Sequence, residues 1–281
     1  MDREYENLFN LLDDENEQSA AQAMAELLRK EEGPLEEMLC RLQETENLRL
    51  RKRIHQLQAV LRLRKRRDFF QEKLKRRELD LLEGLIQLHL LWFDNDSRSA
   101  LCKQWETFLE EAAAFHPDTL ETLGIFFRKK LLRCAHKDDM QSACYCLGSV
   151  LDDSMGSDCL LCAIAVLVAA KAGLNLRITQ SAESDFILLD SAENVLLPAN
   201  DWEYIPSDRI RYRFEFWSVP MLLRYALSMM FCSAVSSDNF RYVHTIGNIL
   251  VPPEKSGRPA GDPSPDFLPY PYGKHSYKTP F

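Results

Sequence analysis

Two residues that could do chemistry, Asp158 and Cys159, stand at the start of the most apolar stretch of the chain. Residues 156–180 read as a turn, a helix that is apolar on every face, a stop at Gly173 and a short strand. A helix that is apolar all round must be buried. Its N-terminus carries free N–H groups and positive partial charge, which lower the pKa of a nearby thiol. This stretch therefore predicts a buried helix that could support a nucleophilic cysteine.

The elements around that helix predict an α+β fold that is mostly helical. Apolar residues keep helical spacing from residue 1 to 151, with a clear break between helices at 94–97. Beyond the buried helix, short apolar runs between polar turns predict strands at 176–180, 186–190, 194–197 and 213–217. Helical spacing returns at 221–229 and 243–250, so we expect two helices after the small antiparallel sheet.

The N-terminal region contains a weak internal repeat. Two acidic turns end in Asn16 and Asn47, which lie 31 residues apart, and helical spacing continues after each turn. This arrangement resembles two degenerate HEAT-like helical pairs. We expect residues 1–75 to form this HEAT-like region and to pack on the rest of the chain.

Five motifs of the second part of the chain occur in a recognisable order. They are Gly156-Ser157-Asp158-Cys159-Leu160-Leu161, Gly173-Leu174, Glu183-Ser184-Asp185-Phe186, Leu197-Pro198-Ala199 and Arg224-Tyr225-Ala226-Leu227-Ser228-Met229. In this order they resemble, in degraded form, the Sir-B-type (second transglutaminase-core) branch of the transglutaminase-like superfamily. Members of that branch have helices before the core, and some have HEAT-like helices further upstream. The resemblance implies a transglutaminase-like domain at 76–250.

Transglutaminase-type chemistry uses a thiolate, a histidine that takes and returns the proton, and an aspartate that orients the imidazole. Counted from both glycines of the buried helix, the cysteine position of the family falls on Asp158. The histidine position falls on Asp185 and the aspartate position on Leu197. The resemblance therefore implies a pseudoenzyme, a non-catalytic binding or scaffold module for an unidentified protein partner, without a cofactor.

Two alternatives for this helix start remain open. Cys159 could serve a cysteine hydrolase or transferase, with His116, His136 or His244 as the base. A shift of one residue turns a side chain by about 100° on a helix, which would point Cys159 away from the sheet. Asp158 could simply cap the helix, as could the preceding serine, or it could pair with Asp185 in a cation or proton-sharing site.

A cysteine- and histidine-rich region suggests a second kind of site. Cys134, His136, Cys144 and Cys146 precede Cys159 and Cys162. Structural zinc takes its ligands from short knuckles that close a tetrahedral shell. We expect Cys144 and Cys146 to lie on opposite faces of a helix, and Cys159 and Cys162 to begin the apolar helix, so the pattern favours buried thiols and no metal.

The charge is unevenly distributed. Residues 49–77 hold 13 Lys and Arg against two acids, whereas the whole chain has a net charge of −8. The candidate basic surface comprises Arg62, Arg64, Lys65, Arg66, Arg67, Lys75, Arg76 and Arg77. Such density can bind nucleic acid in a salt-dependent way. The pattern favours a solvated helix face, or one that faces the protein's own acids, and keeps nucleic acid as an alternative.

Composition predicts a folded, non-membrane protein in the cytoplasm. The hydrophobic content is 46 %, and the longest uninterrupted apolar run, at 159–170, has 12 residues. A bilayer needs about 20. Eight cysteines within apolar patterns, with no export signal at the N-terminus, favour free thiols. Residues 252–281 hold eight of the 13 prolines, so we expect a disordered tail at 251–281.

Overall fold

The structure is a computed structural model that describes residues 3–30, 32–181, 183–207 and 215–250. The predicted tail lies outside these residues. The described chain is mostly helical with a small antiparallel sheet, as the sequence predicts. It divides into two compact units at Asp68 and Phe69. This division falls inside a long helix, a few residues before the boundary at 75/76 that the sequence suggests.

The first unit is built from helices. They are α1 (Arg3–Leu12), α2 (Glu17–Leu27), α3 (Glu32–Leu42) and the first part of α4 (Leu48–Arg76). The two asparagine turns are alike. Asn16 Oδ1 accepts hydrogen bonds from the N–H groups of residues 18 and 19, and Asn47 Oδ1 accepts them from residues 49 and 50. An asparagine N-cap therefore starts a helix at both places, and the prediction of a helix after each turn is confirmed.

The core of this unit lies between the four helices. Its buried members are Phe9, Leu12, Ala23, Leu27, Leu35, Leu39, Ile54, Leu57 and Leu61. The contribution of α4 has the spacing i, i+3, i+7, which puts one apolar stripe of the helix into the core. The other sides of α4 in this unit carry polar and basic side chains, together with Leu63, which is buried, and Leu48 and Val60, which are exposed.

The second unit begins with the end of α4 and continues through helices and two sheets. Its further helices are α5 (Leu81–Trp92), α6 (Arg98–Phe115), α7 (Leu120–Lys129), α8 (Leu147–Asp153), α9 (Asp158–Lys171), α10 (Val219–Ser236) and α11 (Phe240–Leu250). The strands are β1 (Arg133–Cys134), β2 (Met155–Gly156), β3 (Arg177–Gln180), β4 (Phe186–Leu189), β5 (Val195–Leu197) and β6 (Glu203–Ile205). Short 3₁₀ turns occupy 137–139, 142–145 and 198–200.

The predicted run of helices up to residue 151 is wrong between α7 and α8. There the chain forms β1 and two 3₁₀ turns, and β1 pairs in parallel with β2, which follows α8, with Cys134 opposite Gly156. Each strand of this pair has only two residues, so it leaves no alternating pattern in the sequence.

The larger sheet has the antiparallel order β3-β4-β5-β6. Three predicted strands, at 176–180, 186–190 and 194–197, are confirmed. Of the fourth, at 213–217, the described part is a single bridge from Phe216 to Thr179 on β3. The sequence missed β6, which comes after two residues with left-handed backbone, Asp201 and Trp202. The indole of Trp202 is fully buried and donates a hydrogen bond of 2.7 Å to the carbonyl of Leu132.

The buried helix predicted at 156–173 is α9, and its two ends agree with the sequence signals. Ser157 Oγ accepts a hydrogen bond from the N–H of Leu160 and caps the N-terminus. At the other end, Gly173 has a φ of +79°, and the N–H of Leu174 bonds to the carbonyl of Ala169. A glycine in left-handed conformation with this bond ends a helix abruptly. The helix packs on β3 and β4.

The core of the second unit also holds a histidine. His89 on α5 is 3 % exposed, and its Nδ1 accepts a hydrogen bond of 3.3 Å from the N–H of Gly148. The proton of the neutral ring must therefore lie on Nε2, which is 2.9 Å from Asp96 Oδ2. Burial lowers the pKa of His89 and outweighs the opposing effects of Asp96 and Asp152.

One helix of the described residues, α10, has the length and apolar composition that a membrane crossing requires. Of that 18-residue window, 44 % is buried inside the protein. Core helices of soluble proteins pass the same test, so this is weak evidence for a membrane span.

Candidate functional site

The candidate site lies at the N-terminus of α9, where the helix meets the first residue of β4. Asp158 Oδ1 accepts a hydrogen bond of 2.8 Å from the N–H of Cys159. Its Oδ2 accepts another of 2.8 Å from the N–H of Phe186. Both oxygens of Asp158 are therefore bonded to backbone, and the side chain links the start of the helix to the start of the strand.

The electrostatics of Asp158 reflect its position below the surface. Burial raises the pKa of this carboxyl because it disfavours the charged form. The two backbone N–H groups oppose that rise, the charge of Asp185 adds to it, and the ammonium of Lys137 reduces it. The protein backbone, rather than water, therefore supplies hydrogen bonds to both oxygens of this carboxyl.

The second carboxylate, Asp185, is paired with an ammonium. Lys137 Nζ, on the 3₁₀ turn after β1, lies 2.8 Å from Asp185 Oδ1. The lysine side chain is 73 % exposed and that of Asp185 only 20 %. This ion pair raises the pKa of Lys137. Asp185 is close enough to influence Asp158, and the position where a triad would need an imidazole holds a carboxylate that is bound to a lysine.

The third position that the resemblance implies is not brought to this place. Leu197, at the end of β5, packs in a small apolar cluster with Ile187, Leu189 and Val195. These alternate residues share one face of the sheet. Phe186 on β4 belongs to the other face, where it packs edge-on against the rings of residues 217 and 225.

Cys159, the alternative nucleophile, is a core residue. It is 3 % exposed, and burial raises the pKa of its thiol well above the usual value. The same holds for Cys162 one turn along the helix. A protonated, inaccessible thiol is a poor nucleophile because the thiolate is the reactive form.

The three histidines considered as bases lie on other elements of the structure. His116 ends α6 in left-handed conformation. His136 accepts a hydrogen bond from the N–H of Asp138, and its ring lies 3.5 Å from that carboxylate. His244 contacts Asn248 within α11. Among the contacts of the described residues, none joins one of these rings to Cys159.

A different thiol, Cys134, is the one that lies beside the candidate site. Its strand pairs with β2 directly before α9, and its sulfur faces the backbone N–H of Asp158. Burial, together with the smaller effect of the charge of Asp158, raises the pKa of Cys134 to about 12. The thiol is therefore protonated at neutral pH. Sequence reasoning missed this neighbour because two-residue strands carry no readable pattern.

The zinc pattern does not assemble in the structure. Cys144 lies in a 3₁₀ turn, and Cys146 precedes α8 and donates its S–H to the carbonyl of Ser142 at 3.4 Å. The expectation that these two cysteines lie on opposite faces of one helix is therefore wrong. Within the described parts of the chain, no group of three His, Cys, Asp or Glu side chains could hold a metal ion.

A groove of about 510 Å³ lies elsewhere in the second unit. It runs between the N-terminus of α7 and the turn that joins β4 to β5, and Asp118, Asp190 and Tyr204 are among its lining residues. None of the three positions implied for a triad lines it.

Many cations of the basic segment bind other groups of the same protein. Arg64 donates a hydrogen bond of 2.7 Å to the carbonyl of Leu28, and Lys65 lies 2.6 Å from Glu36. Arg67 pairs with Asp68, and Arg76 with Glu72. Of the other candidate cations, Arg62, Lys75 and Arg77 are exposed, and Arg66 is half-exposed. The segment is therefore partly matched by the protein's own acids.

Comparisons with known proteins add no family to this geometry. No family model, no curated protein and no solved structure matches the chain. A function must therefore be argued from the residues and contacts described above.

Proposed function

We propose that this chain is a non-catalytic protein of the Sir-B-type transglutaminase-like kind, with a HEAT-like first unit, and that it acts as a binding or scaffold module for a protein partner. One observation carries the proposal. At the position where such an enzyme would have its cysteine, Asp158 has both carboxylate oxygens bonded to backbone N–H groups. The residue serves to join α9 to β4.

The surroundings of Asp158 support the same function. A triad needs a base next to the nucleophile and a carboxylate that orients that base. Here the base position is Asp185, which is bound to Lys137, and the orienting position is Leu197, which lies in an apolar cluster. The three positions therefore supply neither a thiol nor an imidazole.

The architecture supports the family assignment in a general way. A buried helix closed by Gly173 leads directly into an antiparallel sheet, which is the order of elements in the transglutaminase-like core. Upstream, two helical pairs start their second helices with the same asparagine cap, as a degenerate HEAT-like repeat would.

The alternative, a cysteine hydrolase or transferase that uses Cys159, requires a thiolate and a nearby base. Burial keeps the Cys159 thiol protonated, and among the contacts of the described residues none joins His116, His136 or His244 to it. We therefore prefer the non-catalytic function.

Site-resolved alkylation with iodoacetamide at about pH 6 tests this choice, since only an activated thiol reacts quickly there. We expect Cys40, which is exposed, to react at the rate of a free thiol, and Cys159 and Cys162 to stay unmodified until the protein unfolds. Cys159→Ala and Cys162→Ala serve as a matched pair. Rapid modification of native Cys159, lost in Cys159→Ala but kept in Cys162→Ala, would overturn the proposal in favour of the hydrolase.

A further inference from the structure

The cations of α4 within the first unit fall into two groups, and the first group faces α1–α3. Arg53 is 4 % exposed and donates hydrogen bonds to the carbonyls of Leu12 and Asp14, with Glu17 as an ion-pair partner at 3.1 Å. Arg49 lies 3.2 Å from Glu15. The acids and carbonyls of the preceding helices therefore satisfy this inward group, as they do Arg64 and Lys65.

The second group points away from that core. We call it the outer basic face, and its members are Arg51, Lys52, His55 and Arg62. At about 100° per residue they fall within an arc of about 100°, on the side of α4 away from Ile54, Leu57 and Leu61. Lys52, His55 and Arg62 are exposed, and Arg51 is half-exposed.

The outer basic face is uniform in charge and straight. Residues 49–67 contain no Asp or Glu, and the two acids of α4, Asp68 and Glu72, pair with Arg67 and Arg76 instead. From residue 51 to residue 62 it extends about 17 Å along a regular helix. The compact core of the first unit holds that helix in place. A rigid row of cations of this length is complementary to a rigid row of anions.

The side chains of the face favour phosphate over a protein surface. A protein partner would need a large apolar or aromatic anchor near the centre of the contact. The centre here is Ala59, between His55 and Arg62; Leu63 on the same side is buried, and Leu48, which is exposed, lies beyond one end of the face. Arginine presents a planar fork of donors that matches a phosphate group. Single strands are usually bound by several stacking aromatic rings, whereas the one ring among residues 51–66 is the imidazole of His55.

We propose that the outer basic face binds the sugar–phosphate backbone of double-stranded nucleic acid without reading its sequence. Phosphate contacts give affinity that is independent of sequence and strongly dependent on salt. The proposal rests on the first unit alone and does not require the transglutaminase-like assignment of the second.

Fluorescence anisotropy of the full chain with a labelled random duplex of roughly 24 base pairs, starting at about 50 mM salt, tests the proposal. The triple variant Arg51→Gln/Lys52→Gln/Arg62→Gln removes three cations of the face. Its control, Lys103→Gln/Lys171→Gln/Arg224→Gln, removes three exposed cations of the second unit. Thermal unfolding of both variants should match the wild type, because the altered side chains are at the surface.

We expect the wild type to bind the duplex, with an affinity that falls as salt rises. The triple variant should lose at least tenfold in affinity, and its logarithmic salt slope should shrink by about 2.7, at roughly 0.9 for each lost contact. The control variant should bind like the wild type.

Four outcomes would overturn the proposal. The duplex could fail to bind at about 50 mM salt, or the control variant could lose as much affinity as the triple variant. Polyglutamate could bind more tightly than the duplex, which would assign the face to an acidic protein. A single strand of the same length could bind more tightly, which would exclude the duplex as the preferred ligand.

Discussion

The start of α9 and the outer basic face of α4 differ in how far the protein itself satisfies their polar groups. At α9, Asp158 bonds two backbone N–H groups and Asp185 is paired with Lys137. On α4, none of the contacts within the described residues holds the side chains of Arg51 or Lys52. Asp158 and Asp185, whose positions suggest catalysis, thus stabilise the fold. Arg51 and Lys52, whose positions suggest only a solvated helix, remain available to a ligand.

The largest expected effect concerns the carboxylate of Asp158. Asp158→Ala leaves the N–H groups of Cys159 and Phe186 without their acceptor, in a place that water reaches poorly. We expect a loss of about 2–3 kcal/mol in the free energy of unfolding, measured by urea denaturation. Asp158→Asn keeps one acceptor oxygen and should lose roughly half as much. Equal stability of Asp158→Ala and the wild type would remove the structural function of this residue.

A second effect is a loss of stability in acid that depends on His89. Its pKa is lowered in the folded state, so the unfolded chain binds the proton more readily. Stability is therefore full above the unfolded pKa, about 6.5, and falls as the pH drops from there toward the folded pKa. Each unit of lowering corresponds to about 1.4 kcal/mol.

Urea denaturation between about pH 7.5 and pH 5 measures this loss. His89→Gln should flatten the pH dependence in that interval, and His55→Gln, which alters an exposed histidine of the outer basic face, should leave it unchanged. If His89→Gln keeps the full acid sensitivity, another group must be responsible for it.

A smaller effect concerns the caps that hold α4 in place beneath its basic face. Asn47→Ala removes the acceptor for two helix N–H groups and the bond from its side-chain amide to Asp13. We expect a loss of about 1 kcal/mol, read from thermal unfolding. Asn16→Ala is the matched control in the equivalent turn. It should lose slightly less, because within the described residues the side-chain amide of Asn16 makes no bond like the one to Asp13. A larger loss for Asn16→Ala would contradict this order.

The smallest effect is expected for the ion pair at the candidate site. Asp185→Asn removes the charge that Lys137 binds, but the lysine side chain is mostly in water. Solvent-exposed pairs contribute less than about 1 kcal/mol. Chemical denaturation should therefore show a much smaller loss than for Asp158→Ala, and a loss of equal size would mean that the two carboxylates act as one unit.

Local signals made much of this fold predictable. The asparagine turns, the apolar run of α9 and the glycine at 173 are contained in a few neighbouring residues, and the helices and strands that they predict are present. The pair β1–β2 was not predictable, because two-residue strands depend on contacts between residues about 20 apart in the chain. For the same reason, the sequence did not reveal the thiol of Cys134 beside Asp158.

The candidate site was predictable only in part. Counting from the glycines at 156 and 173 brought attention to Asp158 and Asp185, which the structure brings near each other. The pairing of Lys137 with Asp185 depends on a surface 3₁₀ turn some fifty residues away in the sequence. Likewise, the division of α4 into inward and outward cations depends on which stripe of the helix is buried, and the number of charges does not reveal it.

The most direct test of the central claim is amide hydrogen exchange at Phe186, monitored by NMR, with Leu188 of the same strand as the reference. If Asp158 joins α9 to β4, the amide of Phe186 should be protected in the wild type to a degree similar to that of Leu188. In Asp158→Ala, Phe186 should lose more protection than Leu188. Exchange of the wild-type Phe186 amide at the rate of an unprotected peptide would contradict the account.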